Sequence, residues 1–255
     1  QLLGAIAMLT TRIRLGPLVT PVPFRHPAVL GKMAATLDHI SAGRLIVGLG
    51  AGGSPADHDP FGLPLEPASV RAARLDEAAT ILRSMFLEGA ATVVGRYYAL
   101  RDAPAEPKPV QRRLPLLIAG ASGAVLRIAA RHADLWNVIA MPDGFRDRFH
   151  RLVEHLARTG RHPASVIATA SFRLIVRDTD REVAARIAEL DPLWRDDAFR
   201  VAGDQASARD ALSAYVKAGA DGLIVQMPAP YDFSTLERLS TEIRPLLAPD
   251  ASPRA

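Results

Sequence analysis

Leu15 to Gly62 reads LGPLVTPVPFRHPAVLGKMAATLDHISAGRLIVGLGAGGSPADHDPFG, and this stretch decides the fold. Two short apolar runs, Ile13–Val19 and Arg44–Leu49, each end in a loop of Gly, Pro and small polar residues. Between them lies one amphipathic segment. Pro27 opens it, Val29, Leu30, Met33, Leu37 and Ile40 recur at helical spacing, and Ser41-Ala42-Gly43-Arg44 stops it. The order is strand, loop, helix, strand, loop, which is a βαβ unit and the start of the next. In such units ligands bind at loops beyond the carboxyl ends of the strands.

Working outward, Gln1–Leu9 reads as the second half of a helix. After a long connection over 54–68, Val70–Leu87 repeats apolar Leu75, Ala79, Leu82 and Phe86 every three to four residues. Thr92–Leu100 reads as a small β excursion and 101–113 as a Pro-rich crossing loop. Three further strand and helix pairs follow: Leu114–Ala119 with Val125–His132, Leu135–Ala140 with Gly144–Thr159, and Val166–Val176 with Asp180–Leu190. Val201–Asp204 leads into a helix that ends at Gly219, Gly222–Val225 is the sixth strand, and Phe233–Leu247 is the closing helix. No repeat, low-complexity tract or linker interrupts residues 1–255, which read as a single domain. Six buried strands alternating with helices predict a parallel α/β architecture of the TIM (β/α)8 type, incomplete at about six strands.

Composition excludes several classes. Hydrophobic residues are 49% and charged residues 23% of the 255, so a large core can form. Cysteine is absent, which removes disulfide and thiolate chemistry. No apolar run approaches the roughly 20 residues needed to span a bilayer, and Gln1–Leu9 lacks the basic start and cleavage pattern of a signal peptide; the expectation is a cytoplasmic protein. The net charge is +4, but the arginines are scattered beside acids, as in Arg71-Ala72-Ala73-Arg74-Leu75-Asp76-Glu77, so no nucleic-acid partner is expected.

Three clusters carry possible chemistry. Gly120-Ala121-Ser122-Gly123 turns from a buried strand into a helix, where backbone N–H groups and the helix N-terminus favour a phosphate; the same glycines also suit a tight turn for purely conformational reasons. Gly50-Ala51-Gly52-Gly53 ends a strand with no helix at once behind it, which suits close approach to a flat ring or a tight turn at the rim. Arg25, His26, Asp57, His58 and Asp59 lie on two strand-end loops. His26 and His58 are candidates for proton transfer, while His26 reads equally as a helix entry and Asp57–Asp59 as a solvated loop. Trp136-Asn137 ends a strand, as pocket wall or as core. No spacing suggests a metal site.

These residues resemble the bacterial luciferase-like monooxygenase superfamily of flavin- or deazaflavin-dependent oxidoreductases on a TIM barrel. The resemblance rests on Leu15–Pro21, Arg25–Ala28, Thr36–Arg44, Gly48–Gly52, Ala119–Gly123 and Ala133–Asn137, with Ala202–Asp204, Tyr215 and Ala218–Asp221 further on. It implies that Leu18, Val19 and Thr20 lie under the cofactor ring, often with a non-prolyl cis peptide. Gly50 and Gly52 form the floor beside the ring, and Gly120, Ala121, Ser122 and Gly123 bind the phosphate. Gly53 stands where many relatives carry Trp. Family members have a further strand, helix and strand before the point matched by Gln1, which underlies the incomplete barrel. Lys32, Lys108 and Lys217 are the only lysines among 31 basic residues, an arginine bias of GC-rich genomes that favours F420 over FMN. The expected activity is hydride transfer or oxygen activation on a small organic substrate. The alternative is a non-catalytic or vestigial flavin-binding protein. A homodimer is expected, with helices Pro27–Ile40 and Val70–Leu87 at its interface.

Overall fold

The computed structural model describes residues 1–247. The chain forms two compact units, Gln1–Trp136 with Arg158–Arg161, and Asn137–Ala157 with the chain from His162 onward. Both are α/β, and no helix among the described residues is long and apolar enough to cross a membrane.

In the first unit α1 (Leu2–Leu9) leads to β1 (Thr20–Pro21), then α2 (Pro27–Ile40), β2 (Val47–Gly50), the short α3 (Pro55–His58) and the long α4 (Ala68–Leu87). A hairpin of β3 (Ala90–Val94) and β4 (Ala99–Pro104) precedes β5 (Leu116–Ala119), α5 (Gly123–His132) and the first residues of β6 (Leu135–Ile139). β1, β2 and β5 pair in parallel, with Thr20 opposite Leu49 and Gly50 opposite Ala119. The strand expected over 13–19 is reduced to one bridge, Leu15 to Leu45, and the two residues of β1. Pro17, inside the interrupted part, has no N–H to give a ladder. The Leu18–Val19 peptide is cis.

The most sequence-specific run of the opening stretch is scaffolding. Asp38 is fully buried, and its carboxylate accepts Gln111 N at 2.9 Å and Gln111 Nε2 at 2.7 Å, pinning the crossing loop to α2. Ala42 and Gly43 both adopt left-handed backbone (φ 52° and 77°) and turn the chain off the helix. Arg44 then donates to the carbonyls of Ala7, Thr10 and Ile13, satisfying the end of α1, whose last carbonyls have no helical partner. On α4 the expected apolar positions Leu75, Ala79, Leu82 and Phe86 are all buried. The hairpin is anchored by Glu77, whose carboxylate accepts the backbone N–H groups of Arg96, Tyr97 and Tyr98.

In the second unit β6 runs into α6 (Pro142–Arg158), followed by β7 (Ile167–Val176), α7 (Asp180–Glu189), the short α8 (Pro192–Arg195), β8 (Arg200–Gly203), α9 (Gln205–Lys217), β9 (Gly222–Gln226) and α10 (Phe233–Arg238). Along β7, Thr169–Arg173 pair with β9 and Arg173–Val176 with β8, both in parallel. β8 was not expected as a strand. Its four residues carry no period that marks them, and only the ladder to β7 defines it. The closing helix is α-helical only to Arg238 and continues as a wider turn, Leu239–Ile243, before Pro245. Inside this unit Asn137 is almost fully buried and exchanges hydrogen bonds with Thr169 and Ser171, and Tyr215 stacks on Phe172 while donating to the Ala140 carbonyl at 2.8 Å. Burial pushes the Tyr215 hydroxyl up to about 12.

Candidate functional site

Because Gly50 pairs with Ala119, the two glycine-rich loops leave β2 and β5 from adjacent strand ends. The register thus brings the expected ring floor and the expected phosphate loop side by side.

The turn after β5 is built to leave donors free. Ser122 caps α5, its Oγ accepting Val125 N at 3.3 Å while its carbonyl accepts Leu126 N at 2.9 Å. Gly120 takes φ 145°, and a side chain there would sit 2.9 Å from Val125 Cγ1. Trp136, fully buried, donates Nε1 to the Gly120 carbonyl at 3.0 Å and so orients the peptide that enters the loop. Among the described residues the N–H groups of Gly123 and Ala124 have no partner, and they lie at the positive end of the α5 dipole. The Arg127 guanidinium is also without a partner, with Nη1 3.7 Å from the place of a Gly123 Cβ, where nothing else stands within 4 Å. These groups fit a phosphate. Arg127 escaped the sequence reading because nothing at its own position marks it; it counts only because a helix turn brings it back over Gly123.

The floor is a different construction. A Cβ on Gly48 would meet the Pro17 carbonyl oxygen at 2.0 Å, and one on Gly50 would meet Val19 Cγ2 at 2.6 Å. A Cβ on Gly52 (φ 69°) would lie 3.3 Å from His58 Nε2 and within 3.5 Å of Pro23 and Pro21. What these glycines admit is the chain's own β1 segment. Leu18 remains 40% exposed and Thr20 is half-buried. Thr20 also lines a groove of about 570 Å³ with Pro17, Arg25, Leu37 and Val47, a volume within the usual range for small-molecule sites.

The two histidines are placed apart in character. His26 is the N-cap of α2: its Nδ1 accepts Ala28 N at 3.2 Å, so Nε2 carries the proton, and its ring meets Tyr98 edge-on. His58 is fully buried, at the end of α3, against Phe24 with ring centroids 4.9 Å apart. Its Nδ1 donates to the Pro64 carbonyl at 3.2 Å, and Nε2 is buried with no partner. Asp57 and Asp59 beside it are exposed, as a solvated loop would have them. Arg71 of α4 lies over Gly53 and donates to the carbonyls of Gly52 and Glu66. Among the described residues no group of three or more His, Asp or Glu could hold a metal ion.

Comparison with known proteins gives three findings. The family of luciferase-like monooxygenases matches residues 1–215. Pyrimidine monooxygenase RutA of Methylobacterium radiotolerans is 35% identical over 187 residues, 70% of this chain and 47% of that protein. The F420-dependent glucose-6-phosphate dehydrogenase of Beutenbergia cavernae is 35% identical over 133 residues, 52% of this chain and 39% of the relative. The chain thus spans about half the length of the curated relatives it matches. Among solved structures, the coenzyme F420-dependent tetrahydromethanopterin reductase of Methanopyrus kandleri superposes with a TM-score of 0.82 at 24% identity, covering 96% of this chain and 86% of that one. That likeness establishes the incomplete TIM-barrel type of fold.

Proposed function

Since the chain belongs to the luciferase-like monooxygenase family, we propose that it is a cytoplasmic flavin- or deazaflavin-dependent oxidoreductase acting on a small organic substrate, with F420 ranked ahead of FMN. The observation that carries the reading is the turn Gly120–Gly123, with two N–H groups and an arginine at the N-terminus of α5 that have no partner among the described residues. A monooxygenase relative and an F420-dependent relative support it, and the arginine bias ranks F420 first.

In this reading Gly123 N, Ala124 N and Arg127 hold the cofactor phosphate, Ser122 and Trp136 orient the loop, and Leu18, Val19 and Thr20 support the ring beside Gly50 and Gly52. When bound, the cofactor supplies hydride exchange or, as a reduced flavin, oxygen activation. The protein positions it, with Leu18 exposed and Thr20 half-buried at the start of β1. Titration with FMN and with F420, followed by absorbance and fluorescence, tests this. Micromolar binding of one cofactor is expected; no binding of either overturns the reading for this chain.

One observation favours the second reading, a non-catalytic flavin-binding protein. Both candidate histidines serve the packing: His26 caps α2 through Nδ1, and His58 is buried against Phe24. Tight binding with no oxidation of the reduced cofactor above its spontaneous rate, with any carbonyl substrate or in air, would select it. The proposed assembly is a homodimer through α2 and α4. α2 keeps Val29, Met33 and Ile40 exposed, and a concentration-independent monomer in light scattering would remove the proposal.

A further inference from the structure

Between the floor glycine Gly52 and Glu66 the chain makes a surface excursion whose two ends are tied by one side chain. Arg71 donates Nη1 to the Gly52 carbonyl and Nε to the Glu66 carbonyl, the latter at 2.8 Å. The ends are therefore fixed to α4 and to each other, the arrangement of an Ω-loop. Glu66 is further held through its carboxylate by Arg74 at 2.7 Å.

The span from Ser54 to Leu65 is attached very differently. His58 is its only buried residue; Phe61 is 76% exposed, and Pro55–Asp57, Asp59, Pro60, Gly62, Pro64 and Leu65 are exposed as well. A segment that buries one side chain contributes little to the core and opens at low cost. That one side chain is also incompletely satisfied. Nδ1 bonds to Pro64 within the segment itself, whereas Nε2, aimed at Gly52, has neither a protein partner nor access to water. A buried acceptor left unpaired favours the state in which it is hydrated. Outside the segment His58 meets the Phe24 ring edge-on, and its Nε2 faces Gly52, next to Pro21 and Pro23 at the end of β1.

We propose that Gly53–Leu65 is a lid on the strand ends of β1 and β2, with Arg71 as the clamp at its base and His58 as its latch, which opens to admit a flat ligand and closes beside it. The identity of that ligand rests on the cofactor reading above; the lid itself does not. Opening swings His58 out from between Phe24 and Gly52 and hydrates Nε2, while Arg71 keeps the hinge points in place. A bound ring against β1 then shields the same side of Gly52 and makes the closed form the favoured one.

Chymotrypsin cleavage after Phe61 reads opening directly, because a native loop must unfold locally to enter a protease. In the full chain, cleavage is expected at a rate that depends only weakly on urea below the global transition. His58→Ala is expected to speed it about tenfold, and Arg71→Met by a similar factor, with hydrogen exchange of the α4 core amides at Leu75–Phe86 unchanged. Saturating FMN or F420 is expected to slow cleavage at least fivefold. Cleavage that follows global unfolding, or rates unchanged in both variants, would overturn the lid. If His58→Ala does not fold, Arg71→Met and the urea dependence of the unsubstituted chain decide. If the variants behave as expected and neither cofactor binds, the lid stands and the cofactor reading fails. If a cofactor binds and cleavage is not slowed, the lid does not close beside it and the proposal fails.

Discussion

The loops after β2 and β5 leave adjacent strand ends, and both are rich in glycine, yet the glycines around β2 and Gly123 do opposite things. At Gly48 and Gly50 of β2 and at Gly52 just beyond it, the volume a Cβ would fill is taken by Pro17, Val19 and His58, so the missing side chains let the protein pack against itself. After β5, the space beside Gly123 is open and two N–H groups face it. Glycine content therefore shows where backbones come close; what stands in place of the absent Cβ shows whether a ligand is meant to approach. The first arrangement joins backbones; the second leaves room and donors for the phosphate proposed above.

Substitutions separate the two roles. Gly48→Ala is expected to have the largest effect, about 3 kcal/mol or more in urea denaturation, since a methyl 2.0 Å from a backbone oxygen forces β1 away from β2. Next comes Asp134, which precedes β6 and holds Leu116 N at the start of β5 together with Arg83 and Arg113. Burial opposes its charge, but the bonds from Arg83, Leu116 N and Arg113 prevail and hold its carboxyl below the usual range. That stability is present above the unfolded carboxyl value near pH 4 and is lost as pH falls through the lower folded value. Asp134→Asn should cost about 2 kcal/mol at neutral pH, less than a fully buried pair, and flatten the stability curve on the acid side. An unchanged curve would show that other carboxylates set the acid limit.

The double change Ser122→Ala with Gly123→Asp sharpens the contrast further. It removes a cap worth about 1 kcal/mol, fits the open space at Gly123, and places a carboxylate where the phosphate belongs, so cofactor retention should be abolished in a folded protein. Retained binding would mean that the loop after β5 is a joint too. The smallest expected change in stability is Arg127→Ala, within about 0.5 kcal/mol by thermal denaturation for an exposed, partnerless side chain, with roughly fivefold weaker phosphate-dependent binding.

Much of the fold could be read from spacing. The buried face of α4, the capped entry of α2 at His26-Pro27 and the buried strand ending at Ala119 all follow from period and punctuation, which are local properties. The failures are where the decisive partner is distant in the chain. β8 exists because Arg173–Val176 pairs with it, and His58 is buried because the loop folds back onto Gly52, although Asp57 and Asp59 on either side are solvated. The turn Gly120–Gly123 was legible as a strand-to-helix turn; Arg127 and the bond from Trp136 to Gly120, which complete it, required the structure.

The hand-over along β7 has a consequence for recombination. Thr169–Arg173 is committed to β9, while Arg173–Val176 alone carries β8 and, between them, α7 and α8. The excursion 177–203 is thus spliced onto a strand whose register is already set by another partner. A chimaera that exchanges this cassette between homologues, joined at Arg173 and Gly203, keeps the β7–β9 ladder unaltered. The junctions it must preserve lie at 230–238, where Asp232 meets both Arg177 and Arg186, Thr235 accepts from Val176 N and Arg177, and Arg238 pairs with Asp178.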